Sequence, residues 1–324
     1  MSFLSGVRTL LQLVLMTGHS RAPAERGLGA PPTRRQIQDP SLSHPHPPIL
    51  SHCRIHVATV SSPNVNPIAL HFGSLTLYWY GVLAALGFMA GFWTASRRAL
   101  RVGVSPDRVM DLGPWIIVGA IVGARILYVI SYWKEQFAQN PFPEIFMIQH
   151  GGLVYYGGLI GASLGTILFA KLKKIPLWQL SDIMAPSIAL GHAFGRIGCL
   201  MNGCCYGHAS SLPWAIHYPT GHATHPAGVH PTQVYESVLN FALYATLAWW
   251  FRRRRKFDGQ VFAIYLLAYA ILRTVVESFR GDYPVHYLGG VATPAQLVSA
   301  GIFATGLILY FRLPRKLTTG PAAS

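Results

Sequence analysis

From residue 73 to residue 311 the chain alternates long apolar segments with short polar ones. The apolar segments are about 18–25 residues long, and a helix of that length crosses a bilayer core of roughly 30 Å. The pattern predicts seven transmembrane helices, at about residues 74–96, 109–133, 153–170, 177–199, 236–251, 260–279 and 293–311. The chain is therefore predicted to be an all-α, polytopic membrane protein.

Residues 1–65 do not follow this pattern. They are rich in proline, serine, histidine and arginine and contain little apolar surface to bury, which is typical of disorder. We expect a disordered or wrongly assigned N-terminal extension, with translation of the native protein starting near Val65. N-terminal sequencing of the native protein tests this, and a mature chain beginning before residue 60 would contradict it.

Basic residues are distributed very unequally among the connections. Only 11% of the residues are charged, about half the share of a usual soluble domain, and Lys and Arg outnumber Asp and Glu by 26 to 11. From the first connection to the C-terminal tail, the Lys and Arg counts are 4, 1, 3, 0, 5, 1 and 3. Because basic loops stay cytoplasmic, the N-terminus is predicted outside and the C-terminus inside. The run "RRRRK" at 252–256 fits this alternation, so no nucleic-acid partner is predicted.

Ionisable residues inside the spans fall at one depth. The helical rise of ~1.5 Å per residue places Arg125 about 24 Å from the inner end of its helix, in the outer half. The same estimate gives an outer layer that contains Tyr80, Arg125, Tyr155, Tyr156, Arg196, His230, Tyr235, Glu236, Arg273, Glu277 and Arg280. Charged groups inside a membrane are costly and are functional candidates by default. Asp182, near the inner end of its helix, is assigned a structural role.

Four arginines with few acids in this layer favour an anion. The planar guanidinium binds phosphate through two parallel, charge-assisted hydrogen bonds, and the anion of the outer leaflet is a phospholipid headgroup. In the alternative interpretation, Arg125 and Arg273 only pair with Glu277 and with helix carbonyls. Arg273 shares a helix face with Glu277 and Arg280, which favours a site at that position.

The segment "GRIGCLMNGCCYG" at 195–207 contains three cysteines with several possible roles. They could bind zinc with His192 and His208, although C-x4-C-C is not the common structural spacing. Cys199 could instead form a disulfide with Cys204 or Cys205, or act as a nucleophile beside Arg196. We favour a fourth interpretation, in which they are small residues that let a lipid approach. No metal or cofactor is predicted.

This segment resembles the signature of prolipoprotein diacylglyceryl transferases, Gly-Arg-x-Gly-Asn-x-x-Asn-x-Glu-x-x-Gly. The segments "LYWYG", "GARILYV", "GGLVYYGGLIGA", "HPTQVYE" and "RTVVESFR" are also similar to family segments and occur in family order. The resemblance covers about residues 66–315. It implies three regions: the extension 1–65, a seven-helix transmembrane catalytic domain at 66–316, and a flexible cytoplasmic tail at 317–324.

The resemblance implies an enzyme of the bacterial inner membrane whose active site faces the periplasm. Such an enzyme moves the diacylglyceryl group of phosphatidylglycerol to the lipobox cysteine thiol of an exported prolipoprotein, and it releases glycerol phosphate. Arg196, Arg273 and Glu277 are then expected in the catalytic site. The expected substrate-binding residues are Tyr80, Arg125, Asn202, Gly207, His230, Tyr235, Glu236 and Arg280.

The sequence departs from the family pattern at three positions. Cys199 and Cys204 replace the first Asn and the Glu of the motif, and Tyr156 replaces the histidine often proposed as the base. Either Tyr156 or His150 serves as the base, or no strong base is needed, since a thiol with a pKa of about 8.5 needs little help near neutral pH. Two other functions stay open: a non-catalytic protein that binds or transports anionic lipid, and a cysteine-dependent redox or metal protein.

Overall fold

The structure is a computed structural model that describes residues 67–72, 75–138, 142, 144–148, 151–281 and 292–317. The predicted extension at 1–65 lies outside the described residues. So do His150 and the predicted tail, apart from Leu317.

One α-helix lies at each predicted apolar segment. The helices are α1 Trp79–Ala99, α2 Pro106–Ser131, α3 Tyr155–Leu172, α4 Leu177–Met201, α5 Thr232–Arg253, α6 Gln260–Glu277 and α7 Pro294–Arg312. By length and composition, α2, α4, α6 and α7 are apolar enough to cross a membrane. The chain is thus a mostly helical membrane protein.

Two small sheets qualify the all-α prediction. Strands β1 (Ile68–Phe72) and β2 (Leu75–Tyr78) pair antiparallel just before α1, so α1 begins at Trp79 and not near residue 74. The segment 75–78, "LTLY", is rich in β-branched and aromatic residues, which favour a strand. Strands β3 (Ile216–His217) and β4 (Gly228–Val229) pair in the long connection between α4 and α5.

Helix α4 is the central element of the bundle. Half of the 18-residue apolar stretch of α4 is buried, against 11% of the corresponding stretch of α7. Helix α4 packs against α1, α5 and α6. A helix that is buried on most of its circumference is apolar all round, and α4 buries small and large apolar side chains from Leu180 to Ala193. Its C-terminal turns are thereby held between the ends of α5 and α6.

Glycines form the seam between α2 and α3. Gly119 and Gly123 on α2 face Gly157, Gly161 and Gly165 on α3, and the backbones touch. A Cβ atom at Gly161 would lie 2.0 Å from the carbonyl oxygen of Gly119. Small residues spaced by four allow this close packing. In lipid no hydrophobic effect drives helices together, so close packing stabilises their association.

We therefore expect Gly161→Ala to destabilise the protein by about 1–3 kcal/mol, because the added methyl forces the two backbones apart. Gly158→Ala is the matched control on the same helix, since its Cβ would meet Ala120 oxygen at 3.4 Å, an ordinary contact. Thermal unfolding in detergent measures both. Equal melting temperatures for the two variants would contradict the seam.

At the other end of α4, Asp182 joins two helix starts. It is fully buried, and its carboxylate accepts hydrogen bonds from the amides of Gly259 and Phe262, both at 2.9 Å. Arg255 Nε donates to it at 2.9 Å, and Arg255 also pairs with Asp258. The run 252–256 therefore does more than mark topology, because one of its arginines is part of a buried ion pair.

Candidate active site

Three helix ends meet at one side of the bundle. Helices α4 and α6 end there, and α5 begins there. Their side chains form what we call the arginine–glutamate cluster, which contains His192, Arg196, Glu236, Arg273, Glu277 and Arg280. Helix packing thus brings together residues that are up to 88 positions apart in the chain, as the numbers 192 and 280 show.

Glu236 is the centre of this cluster. It is 1% exposed, and its two carboxylate oxygens are shared among three partners. One oxygen lies 3.0 Å from His192 Nε2, and the other lies 3.0 Å from Arg196 Nε and 3.7 Å from Arg273 Nη1. Arg196 Nε is also 3.1 Å from His192 Nε2. A neutral His192 ring has one N–H, so its Nε2 either donates to Glu236 or accepts from Arg196 Nε, and the tautomer selects between these two contacts.

Glu277 holds the other side of the cluster. It is 4% exposed and pairs with Arg273 Nη2 at 2.7 Å and with Arg280 Nε at 3.9 Å. Arg273 Nη1 is buried and has no hydrogen-bond partner in the described part of the chain. Three guanidinium groups face two carboxylates, so with a neutral His192 the cluster has a net charge of about +1.

A backbone ladder fixes Arg280 beside the loop after α4. Gly207 N–H donates to the His230 carbonyl at 2.9 Å, and Gly207 and Arg280 form a β-bridge. A Cβ atom at Gly207 would lie 2.6 Å from both His230 Cβ and the Phe279 carbonyl oxygen, so only glycine fits. His230 Nδ1 lies 3.3 Å from the Tyr235 hydroxyl. Gly207, His230 and Tyr235 thus form the wall next to the cluster.

Tyr80 and Asn202 lie at the end of α4. Tyr80 is half exposed, and its ring and backbone pack closely against Gly198, which has no side chain to displace them. Asn202 is exposed at the C-terminus of α4, and its side-chain amide donates to Cys204 Sγ at 3.8 Å. At Gly195, one residue before Arg196, no atom of another described element lies within 4 Å of where a Cβ would be. The surface of α4 is therefore open beside Arg196.

The three cysteines of this segment converge. The Sγ atoms of Cys199, Cys204 and Cys205 all lie within 4.8 Å of one another, and the thiols are free and partly buried. Hydrogen bonds from the other two thiols and the positive charges of Arg196 and Arg280 lower the pKa of the Cys205 thiol. Cys199 follows Arg196 on α4 at spacing i, i+3, so the cysteines lie beside the arginine–glutamate cluster.

Arg125 lies outside the cluster. It is 8% exposed, and every hydrogen bond that it makes in the described residues goes to a backbone carbonyl of the connection between α2 and α3. The acceptors are the carbonyl oxygens of Glu144, Ile145, Met147, Gly151 and Gly152. The alternative interpretation expected Glu277 and helix carbonyls as partners, whereas these acceptors are loop carbonyls. The guanidinium therefore holds this loop against α2.

Tyr156 makes no ion pair or hydrogen bond with the cluster among the contacts of the described residues. It is 49% exposed in the first turn of α3, with the ring of Tyr155 5.8 Å away. His150, the other candidate base, lies outside the described residues. The exposure of Tyr156 gives it access to a ligand from the membrane.

His192 is the cluster member that the predicted site residues omit. It lies one helical turn before Arg196, at spacing i, i+4, and this spacing puts both side chains on the same face of α4. The spacing was a usable signal. In the sequence, His192 is considered only as a possible zinc ligand beside the cysteines.

The comparisons with known proteins decide the family. The model of the family described as "Prolipoprotein diacylglyceryl transferase" matches residues 67–312. The chain belongs to this family. A protein of Nitratidesulfovibrio vulgaris named phosphatidylglycerol–prolipoprotein diacylglyceryl transferase is 36% identical over 265 residues, which is 81% of this chain and 98% of that protein. Proteins of the same name from Chromohalobacter salexigens and Synechococcus elongatus are 34% and 35% identical, over 76% and 78% of this chain and 92% and 89% of theirs.

The family resemblance predicted from the motifs is thereby confirmed. This member of the diacylglyceryl transferase family shares Arg196 and Gly207 with the signature motif. Arg196 is in the cluster, and Gly207 forms a β-bridge with Arg280. The two positions that differ, Cys199 and Cys204, lie together with Cys205 at the edge of the cluster.

Proposed function

We propose that this protein transfers the diacylglyceryl group of phosphatidylglycerol to the lipobox cysteine thiol of exported prolipoproteins, the first step of lipoprotein maturation. Membership of the family and the names of its relatives support this activity. A thioether forms in the reaction, and glycerol phosphate is released. No metal or organic cofactor is needed for these bonds to form and break.

The observation that carries the proposal is the incomplete pairing of the arginines. The cluster has an excess of one positive charge, and Arg273 Nη1 is a buried donor with no hydrogen-bond partner in the described residues. The phosphodiester of phosphatidylglycerol has one negative charge. Bound there, it neutralises the excess and accepts a hydrogen bond from Arg273 Nη1, whose contact with Glu236 at 3.7 Å is an ion pair without a hydrogen bond.

Arg196 and Arg273 are assigned to the phosphate, with Arg280 beside them. When the bond between the glyceryl carbon and the phosphate oxygen breaks, its electron pair stays on the departing glycerol phosphate. The negative charge there grows from one to two. Arginines already fixed by Glu236 and Glu277 stabilise this charge without reorganising, which is the main electrostatic contribution to catalysis.

The attacking group is the peptide thiol, and its proton leaves before or as the carbon–sulfur bond forms. Tyr156 and His150 remain the candidate bases. We assign substrate contacts to Tyr80, Asn202, Gly207, His230 and Tyr235, which lie at the same end of the bundle as the arginines. Arg125 is assigned to the loop that joins α2 to α3, whose carbonyls it binds.

We further propose that all seven helices span the bacterial inner membrane, with the N-terminus outside and the arginine–glutamate cluster facing the periplasm. The unequal distribution of Lys and Arg among the connections supports this orientation. Reporter fusions after residues 256 and 281 test it. A cytoplasmic signal is expected from the first fusion and a periplasmic signal from the second, and the reverse pattern would contradict the orientation.

The test of the activity uses the purified full chain with phosphatidylglycerol and a lipobox peptide. We expect the mass of the peptide to increase by one diacylglyceryl group, with one glycerol phosphate released per modified peptide. A peptide with serine in place of the lipobox cysteine is the control and should not change. Absence of transfer by well-folded protein would reject the activity, and Tyr156→Phe and His150→Ala in the same assay identify the base.

A further inference from the structure

The three thiols at the edge of the arginine–glutamate cluster form a site for which the proposed function has no use. Cys199 lies in the last turns of α4, and Cys204 and Cys205 lie in the loop that follows. Their Sγ atoms are all within 4.8 Å of one another. Three sulfur donors around one point have the geometry of a metal site. The spacing C-x4-C-C does not predict this site, because the chain turns between the ligands.

The distances fit a small thiophilic cation. Zinc binds thiolate sulfur at about 2.3 Å, so three thiolates around one ion lie about 4 Å apart. Shifts of less than about 1 Å, within the reach of χ1 adjustments, bring the three sulfurs to that separation. Soft thiolate ligands select zinc or monovalent copper over hard cations such as magnesium or calcium.

Buried side chains fix the backbone on either side of the thiols. Gln233 donates to the Cys204 carbonyl and Thr232 donates to the Cys205 carbonyl, both at 2.7 Å, and each of these side chains is 1% exposed. Cys205 has a φ of +64°, in the left-handed region that costs a non-glycine residue about 1 kcal/mol or more. A strained backbone of this kind persists only where the surrounding contacts hold it in place. Here the conformation turns the Cys205 thiol toward the other two thiols.

The charge of the surroundings also fits. Three thiolates and one Zn²⁺ have a net charge of −1, and Arg196 and Arg280 lie on the side of Cys205. Nearby guanidinium groups attract this charge, although the excess of one positive charge in the arginine–glutamate cluster is assigned to the bound phosphate and does not neutralise it a second time. Monovalent copper with three thiolates would leave −2, which the same arginines balance less completely.

We propose that Cys199, Cys204 and Cys205 bind one Zn²⁺ ion. The chain supplies three ligands, and zinc takes four, so the fourth position is open to water or another exogenous ligand. This is the ligand count of catalytic zinc sites, whereas structural sites are closed by four protein ligands. The ion ties the end of α4 to the loop that continues to Gly207, the residue that forms a β-bridge with Arg280.

The test is metal binding by the full chain, purified in detergent with reduced thiols and handled without oxygen. We expect about one zinc per chain by elemental analysis after equilibration with Zn²⁺. X-ray absorption should show sulfur neighbours at about 2.3 Å. Cys199→Ser, Cys204→Ser and Cys205→Ser should each weaken zinc binding by more than about tenfold, since even the loss of an outer-sphere partner costs that much.

The fourth cysteine of the chain provides a matched control. Cys53 lies outside the described residues, and Cys53→Ser should bind zinc like the wild type. The proposal fails if the triple serine variant, shown to be folded by circular dichroism, keeps the zinc, or if the ion has only oxygen and nitrogen neighbours. It also fails if competition with chelators shows tight binding of Cu⁺ and none of Zn²⁺. These readouts measure the metal, so they are independent of whether transfer occurs.

Discussion

Replacing Arg273 by alanine is expected to reduce the turnover of diacylglyceryl transfer by about 100-fold or more, the usual cost of removing one preorganised donor from a developing anion. Arg273 Nη1 is the buried donor without a hydrogen-bond partner in the described residues, so its loss removes a contact to the phosphate. Arg273→Lys should recover only part of the rate, because lysine keeps the charge but lacks the planar fork. The measurement is kcat and KM for phosphatidylglycerol, from the release of glycerol phosphate.

Two controls separate chemistry from folding. Arg273→Ala leaves Glu277 buried with Arg280 3.9 Å away as its remaining partner, and an uncompensated buried charge costs about 3–5 kcal/mol. The double variant Arg273→Ala with Glu277→Gln removes that charge and should unfold at a higher temperature than Arg273→Ala while staying inactive. Arg253→Ala, an exposed arginine at the other end of the bundle, should be as active as the wild type. Full turnover by Arg273→Ala would remove the arginine from the proposed mechanism.

Glu236→Gln is expected to separate lipid binding from transfer. The substitution raises the net charge of the cluster from about +1 to about +2, so affinity for the anionic headgroup should not fall. Turnover should fall by about 100-fold, because His192, Arg196 and Arg273 lose the carboxylate that fixes their geometry. Headgroup binding to the purified variant and transfer under saturating lipid measure the two effects.

Glu236→Asp also tests whether the carboxylate of Glu236 fixes the geometry of the arginines. Aspartate keeps the charge but is shorter by one methylene, so it should restore part of the turnover and leave the melting temperature between those of the wild type and Glu236→Gln. Glu135→Gln, at an exposed glutamate, is the control for charge alone and should change neither property. If Glu236→Gln lost affinity and turnover in equal proportion, Glu236 would contact the lipid directly, contrary to its role as the anchor of the arginines.

Most of the helical organisation could be predicted from the sequence, because a span of about 20 apolar residues has few alternatives to a helix in a membrane. The boundaries were less certain where polar and apolar patterns overlap. The predicted span from residue 74 included the strand Leu75–Tyr78, and the predicted start of the fifth span near 236 was late, since α5 begins at Thr232. A hydropathy pattern cannot distinguish a short hairpin from the start of a helix. It also locates a helix end poorly when that end faces protein and not lipid.

The site was predictable in part for a related reason. Depth along each helix is a one-dimensional quantity, and it placed Arg196, Glu236, Arg273, Glu277 and Arg280 in one layer. The motif segments together predicted the family, because their combination is far more specific than any single residue. Neither signal contains the angle at which each helix faces its neighbours, so neither could show that Glu236 is the centre of the cluster or that His192 belongs to it.

By itself, therefore, the sequence determined the helices, the layer of charge and the family. Each of these depends on local composition, spacing or motif. Tertiary structure alone decided that Arg125 binds loop carbonyls while Arg273 keeps a buried donor without a hydrogen bond in the described residues, and that Cys199, Cys204 and Cys205 converge. The physical reason is that an ion pair or a metal site depends on distances of a few ångströms between separate elements. Those distances are set by how the helices pack and by how the loops between them turn, and not by positions along the chain.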